Sequence, residues 1–137
     1  MNKAFIDTNI FIYAAGAESS QRTPSLKLLQ RIAGGESEAC SDTEVLQEIL
    51  YRHWHLKNFE KGIQLCEEAA IIIPQILSIT REDLTSAMRL LTRTDFKIQP
   101  RDAIHAAVML NNGIRLIFSY DRHFDLIAGI KRLEPDQ

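Results

Sequence analysis

"KAFIDTNIFIYAA", Lys3 to Ala15, sets an acid and an amide inside an almost unbroken apolar run. Ala4, Phe5 and Ile6 precede Asp7, and Ile10 to Tyr13 follow Asn9. Lys3 to Asp7 is too brief for a helix and fits a buried parallel strand. Asp7, Thr8 and Asn9 are all good N-caps, so a short helix over "NIFIYAAG", stopped by Gly16, follows directly. The charge left at the end of the strand costs several kcal/mol unless something pairs with it.

Outward from this junction the same alternation repeats. Thr23-Pro24 opens a second helix with proline at its first position and Leu26, Leu28, Leu29, Ile32 and Ala33 on its apolar face, ended by Gly34-Gly35. "SEACSD" reads as a second strand. Asp42 or Thr43 then caps a long helix whose Val45, Leu46, Ile49, Leu50, His53 and Trp54 follow the 3.6-residue period. Another helix runs from about Asn58 to Ile72 and stops before Pro74. "QILSI" is a third strand, and Thr80 with Asp83 approximates a capping box for the next helix. Arg101 to Asn112 form an alanine-rich helix closed by Asn112-Gly113. "RLIFS" is a fourth strand, "YDRHFDLIAGI" a loop or short helix, and "IKRLEP" supplies a short edge strand. Strands alternating with helices predict an α/β fold, a three-layer α/β/α sandwich on a central, mostly parallel sheet of four to five strands.

The chain is 137 residues long, and its 45% hydrophobic content with scattered charge predicts one folded domain over 1–137. A formal net charge of -2 excludes a global basic field, so any polyanion must be held locally. Cys40 and Cys66 show no ligand-like spacing and read as reduced core thiols. "NKAFID" lacks the charged-then-apolar order of a signal peptide, and no run approaches the roughly 20 apolar residues of a membrane span. The expectation is a soluble, cytoplasmic protein without a membrane partner.

Four acids stand at element ends or at the margin of an apolar face: Asp7, Glu48, Asp102 and Asp121. Asp7 and Asp121 each follow an apolar strand, and in an open parallel sheet the carboxyl ends of the strands share one crevice. Glu48 lies at the edge of its helix's apolar stripe, and Asp102 lies in the first turn of its helix, where the dipole favours a carboxylate by about 0.3 to 1 kcal/mol. Two such charges about 4 Å apart repel by roughly 4 kcal/mol at an effective dielectric near 20. No lysine stands beside them in the sequence. Mg2+ or Mn2+, hard cations that prefer oxygen ligands, answers the repulsion, whereas zinc would call for His and Cys clusters. Singly, each acid also has an ordinary reading as cap, dipole partner, solvated charge or turn residue.

Read in order, "FIDTNIFIYA", "SDTEVLQEIL", "QPRDAIHAAVML" and "LIFSYDRHFD" resemble the signature blocks of the PIN-domain family, which includes the VapC-type toxins of toxin-antitoxin pairs. The resemblance spans Lys3 to about Ile130. It implies a metal-dependent endoribonuclease in which Asp7, Glu48, Asp102 and Asp121 are the catalytic, metal-holding acids. Asn9 and Ser119 match the family's polar supporting positions, and Thr8 acts through its backbone or as a cap. It further implies a homodimer and an antitoxin partner covering the cleft. Glu44, one turn before Glu48, is an alternative alignment, and "VLQE" favours Glu48; Asp125 is a further candidate, read as solvated.

RNA entering an acidic cleft needs basic residues at its rim, and Arg101 and Arg122 adjoin the acids. Arg89, Arg93 and Lys97 recur every fourth residue on one helix, which reads as a solvated face. His53 and His55 cannot share a helix face; His105 reads as packed or supporting, and His123 as a surface residue. The alternatives are a non-toxin RNA-processing PIN nuclease and a non-catalytic interaction module with structural acids. An aspartyl-phosphate enzyme or phospho-receiver would need a second early acid, where Asn9 stands.

Overall fold

The computed structural model describes residues 3–137. Met1 and Asn2, on which part of the signal-segment expectation rested, lie outside the described residues. The chain runs β1 (Ala4–Ile6), α1 (Thr8–Ala15), α2 (Arg22–Ala33), β2 (Ala39–Asp42), α3 (Thr43–His55), α4 (Phe59–Ile72) and β3 (Ile76–Leu77). It continues with α5 (Arg81–Arg93), α6 (Pro100–Asn111), β4 (Leu116–Phe118), a 3-10 turn over Arg122–Leu126, and β5 (Lys131–Leu133).

All strand pairings are parallel, in the order β3-β2-β1-β4-β5. The chain therefore builds outward from β1 to β3 on one side, then returns to lay β4 against the other side of β1. This reversal of direction opens a crevice at the carboxyl ends of β1 and β4, where ligands of open α/β sheets bind. Ala4, Phe5 and Ile6 are all buried although alternate side chains point to opposite faces, so both faces of β1 are covered. The α/β expectation is realised in this five-stranded parallel sheet with six helices. Helices pack as sequential pairs, α1 with α2, α3 with α4 and α5 with α6, and α3 also touches α1 and α6. Each large apolar side chain buried between them, Phe11, Leu28 or Ile73 for instance, contributes about 1.5 to 3 kcal/mol.

Several local expectations shift. α2 begins at Arg22, so Pro24 is its third residue rather than its first. The shift is tolerated because first-turn N–H groups have no intrahelical partner to lose. "QILSI" contributes only two ladder residues, as β3. α5 ends at Arg93 and the chain turns through Asp95 and Phe96 at φ of 53° and 57°, so Lys97 leaves the row of Arg89 and Arg93. Leu50 and Trp54, assigned above to the apolar stripe of α3, are exposed at 44% and 62%. The stripe that packs is narrower, Val45, Ile49 and His53, because α4 approaches α3 through Gly62, whose missing Cβ would lie 2.7 Å from His53 Cβ.

Candidate active site

The ends of β1 and β4 are fastened by a polar knot. Asp7 N donates to Phe118 O, extending the ladder by one rung, and Asp7 then caps α1 as its Oδ1 accepts from Thr8 N at 2.8 Å. Ser119 Oγ donates to Asp7 Oδ2 at 2.6 Å and accepts from Asp121 N at 2.9 Å. Asn9 Nδ2 lies 3.2 Å from both Asp7 Oδ2 and Ser119 Oγ, and Asn9 Oδ1 accepts from Tyr120 N at 3.3 Å. Asn9 and Ser119 thus hold the Asp7 carboxylate and the backbone that presents Asp121. Burial raises the Asp7 carboxyl from 3.8 to about 6, with His105 and Ser119 pulling it back down.

Asp102 and Asp121 meet from the opposite wall. Asp102 is the third residue of α6 and its Oδ2 accepts from Gln99 N at 3.0 Å, which places the carboxylate at the helix start. Asp121 Oδ1 accepts from His123 N at 2.9 Å and starts the 3-10 turn. His123 Nδ1 lies 3.2 Å from Asp102 Oδ2 and 3.1 Å from Asp121 Oδ1. His123, expected at the surface, is 41% exposed there, and the tight turn after Asp121 brings its Nδ1 back toward both acids. Burial, with the Asp121 charge nearby, raises the Asp102 carboxyl.

The third wall holds the cation that the sequence did not reveal. His105, one turn after Asp102, is buried with its Nδ1 2.8 Å from Asp42 Oδ2 and its Nε2 2.6 Å from Glu48 Oε1. Asp7 Oδ1 lies 3.8 Å from the same Nε2. A ring whose two nitrogens both face carboxylates donates from both, which makes it an imidazolium. Burial alone would lower its pKa, but the Asp42 charge and the bonds to Asp42 and Glu48 hold it well above the ordinary histidine range. Asp42 spends its Oδ1 on the Val45 N–H at 3.1 Å and its Oδ2 on His105, so it is both helix cap and histidine anchor. Part of the repulsion among the acids is thus offset by this internal imidazolium. The signal in the sequence was a histidine on the buried face of an alanine-rich helix, between Ala103 and Ala106.

A cleft of about 450 Å3 joins these walls, lined by Asp7, Thr8, Glu48, Asp102 and Asp121 together with Asn9, Arg52 and Arg101. The four acids singled out in the sequence share this cavity. Arg101 stands at its edge as expected, whereas Arg122 is not among its lining residues and Arg52, not foreseen, is. Glu44 lies outside the cleft lining. Asp125 is ion-paired with Arg132 at 3.0 Å, Arg132 also binds Glu134, and Asp125 is not among the residues lining the cleft. His53 is buried with Nδ1 2.9 Å from Ile49 O, a packing role. Cys40 and Cys66 are free thiols, and burial raises Cys40 to about 11.

The donor set fits a divalent ion. Asp102 Oδ2, Asp121 Oδ1 and His123 Nδ1 could share one ion, since their ligand atoms lie within 4.8 Å of one another. Among the described residues, the buried atoms without a hydrogen-bond partner include the Thr8 hydroxyl and His123 Nδ1, which lies within 3.2 Å of the two carboxylates but makes no aligned hydrogen bond to either. Carboxylate oxygens dominate, which suits Mg2+ and Mn2+.

The chain is similar to several known proteins. The PIN domain family model matches residues 4–130. A VapC ribonuclease of Mycobacterium bovis and ribonuclease VapC13 of Mycobacterium tuberculosis are each 37% identical over 129 residues, covering 93% of this chain and 97% of theirs. Among solved structures, the sarcin-ricin loop cleaving toxin VapC20 of M. tuberculosis superposes with a TM-score of 0.76 at 20% identity, covering 96% of this chain and 99% of that one. VapBC2 of Rickettsia felis, bound to a promoter DNA fragment, does so with a TM-score of 0.74 at 16% identity, covering 96% and 98%.

Proposed function

This chain belongs to the PIN domain family, and we propose that it is a divalent-metal-dependent ribonuclease, the toxin of a type II toxin-antitoxin pair. One observation carries the reading: Asp7, Glu48, Asp102 and Asp121, delivered by four separate elements, line a single cleft at the point where the strand order reverses.

Asp7, Asp102 and Asp121 would hold the ion, and Thr8 and His123 offer further donors beside them. When bound there, Mg2+ or Mn2+ would supply positive charge at the scissile phosphate and lower the pKa of a water. Glu48, whose Oε1 is held by His105, would receive a proton from water at Oε2. Ser119 and Asn9 keep the Asp7 carboxylate turned toward the cleft. Arg52 and Arg101 counter the phosphate charge at the rim, the local cationic surface that a chain of net charge -2 requires.

The partner reading is supported by similar solved structures, among them a toxin-antitoxin complex from Klebsiella pneumoniae and VapBC-5 of Mycobacterium tuberculosis, a member of the VapBC family of toxin-antitoxin systems. A cognate antitoxin over the cleft, a homodimer and a cytoplasmic location belong to the same proposal. Among the described residues, no helix is long and apolar enough to cross a membrane.

An interaction module with purely structural acids has one observation in its favour: Asp7, Asp102 and Asp121 each accept a backbone N–H at an element start. Caps need not converge, however, and these do. Incubating the purified protein with assorted RNAs in Mn2+ tests the proposal. Cleavage abolished by chelator and reduced at least about 100-fold in Asp102→Asn supports it; cleavage indifferent to both removes it.

A further inference from the structure

Beside the carboxylates, the cleft has an aromatic wall that the reaction as described does not use. Tyr51, Trp54 and His55 stand at i, i+3 and i+4 on α3 and therefore on one helix face. The Tyr51 ring lies nearly parallel to both others, at 26° to Trp54 and 24° to His55, with centroids 6.2 and 6.1 Å away. Tyr51 is 57% exposed and Trp54 62% exposed, and Tyr51 and His55 line the same cleft as Asp7 and Glu48. Packing of the chain explains none of this, since the buried stripe of α3 runs through Val45, Ile49 and His53.

Resting on the ribonuclease reading, we infer that Tyr51, Trp54 and His55 form a stacking platform for unpaired nucleobases of the RNA next to the scissile phosphate. Every base offers a π-face, and exposed rings clustered on one helix face, with Trp54 and His55 tilted 43° to each other, bind such faces without reading sequence. Arg52, between Tyr51 and His55 in the chain, and Arg101 across the cleft supply phosphate contacts alongside the rings. Rings and cations lining the same cleft as the acids, Tyr51 and His55 with Arg52 and Arg101, match single-stranded RNA. Base pairs inside a duplex keep their faces covered and cannot use the platform, so the cleft selects loops, bulges and ends.

Trp54 is the only tryptophan of the chain, so its fluorescence reports on the platform directly. Full-length Asp102→Asn protein in Mg2+, slow to cut, is titrated with a short adenosine oligoribonucleotide and with an RNA duplex of the same length. Saturable quenching of Trp54 by the single strand and not by the duplex is expected. Tyr51→Ala in that background should weaken single-strand binding about tenfold or more, and Tyr51→Phe should restore it. RNA binding measured by anisotropy without a change in Trp54 fluorescence overturns the inference. So does a Tyr51→Ala protein that binds normally, or one whose sole change is dissociation of a dimer, which would make the rings a protein interface. Cleavage by the protein without the Asp102 substitution is scored separately. If it cuts RNA and Tyr51→Ala leaves KM unchanged, only the platform falls; if it cuts no RNA, the ribonuclease reading falls with it.

Discussion

His105 is the side chain on which the site's electrostatics turn. Removing one member of a buried ion pair strands the others, so His105→Ala, which leaves Asp42 and Glu48 facing each other without a cation, should cost about 3 to 5 kcal/mol in thermal or urea unfolding. Asp7 behaves in the opposite sense. Its carboxyl, raised from 3.8 to about 6, still holds a proton in the folded protein where the unfolded chain has lost it. The metal-free protein should therefore lose stability as pH rises from about 4 to about 6, by roughly 3 kcal/mol for a shift of that size. The raised His105 pKa adds a further loss as pH climbs through it above the ordinary histidine range. Asp7→Asn should flatten the first limb and leave metal-free stability at neutral pH equal or higher, while abolishing cleavage; urea titrations across pH measure both. Asp7 was legible in the sequence because a carboxylate interrupts an apolar run. The pairing of His105 with Asp42 was not, because 63 residues separate them and each has a complete local reading as packed histidine or helix cap.

At the scale of elements, the α3 and α4 contact is set by a missing side chain. A Cβ at Gly62 would lie 2.7 Å from His53 Cβ, so Gly62→Ala, favoured by helix propensity by up to about 1 kcal/mol, should nevertheless destabilise the protein. A lowered midpoint in thermal denaturation is the expected result. The α5 start shows the reverse case, a local rule that holds. Thr80 and Asp83 exchange bonds of 2.8 and 3.1 Å, and Asp83 Oδ1 also accepts from Asn111 Nδ2 at 2.8 Å, tying α5 to α6. Asp83→Ala should cost about 1 to 2 kcal/mol in the same assay. The capping box was readable from residue types three apart. The α3 face was not, because periodicity marks where apolar residues recur but does not say which of them will be buried, and here Leu50 and Trp54 stay exposed while Tyr51 and His55 line the cleft.

At the scale of the molecule, alternating strands and helices predicted the parallel sheet, and the order in which the strands lie supplies the rest. Because β4 returns to the far side of β1, Asp7 and Ser119 become neighbours across 112 residues, and α6 delivers Asp102 beside Asp121. No spacing in the chain encodes that convergence; it follows from topology. Under the proposed function, this converged pocket holds a divalent ion at which RNA is cut. Anomalous diffraction at the manganese edge, from crystals grown in Mn2+ near neutral pH, reads out the ion itself. A strong peak is expected in the cleft bounded by Asp7, Asp102 and Asp121, lost in Asp102→Asn crystals. A cleft without a peak, or manganese bound only elsewhere on the surface, would rule the metal-dependent reading out.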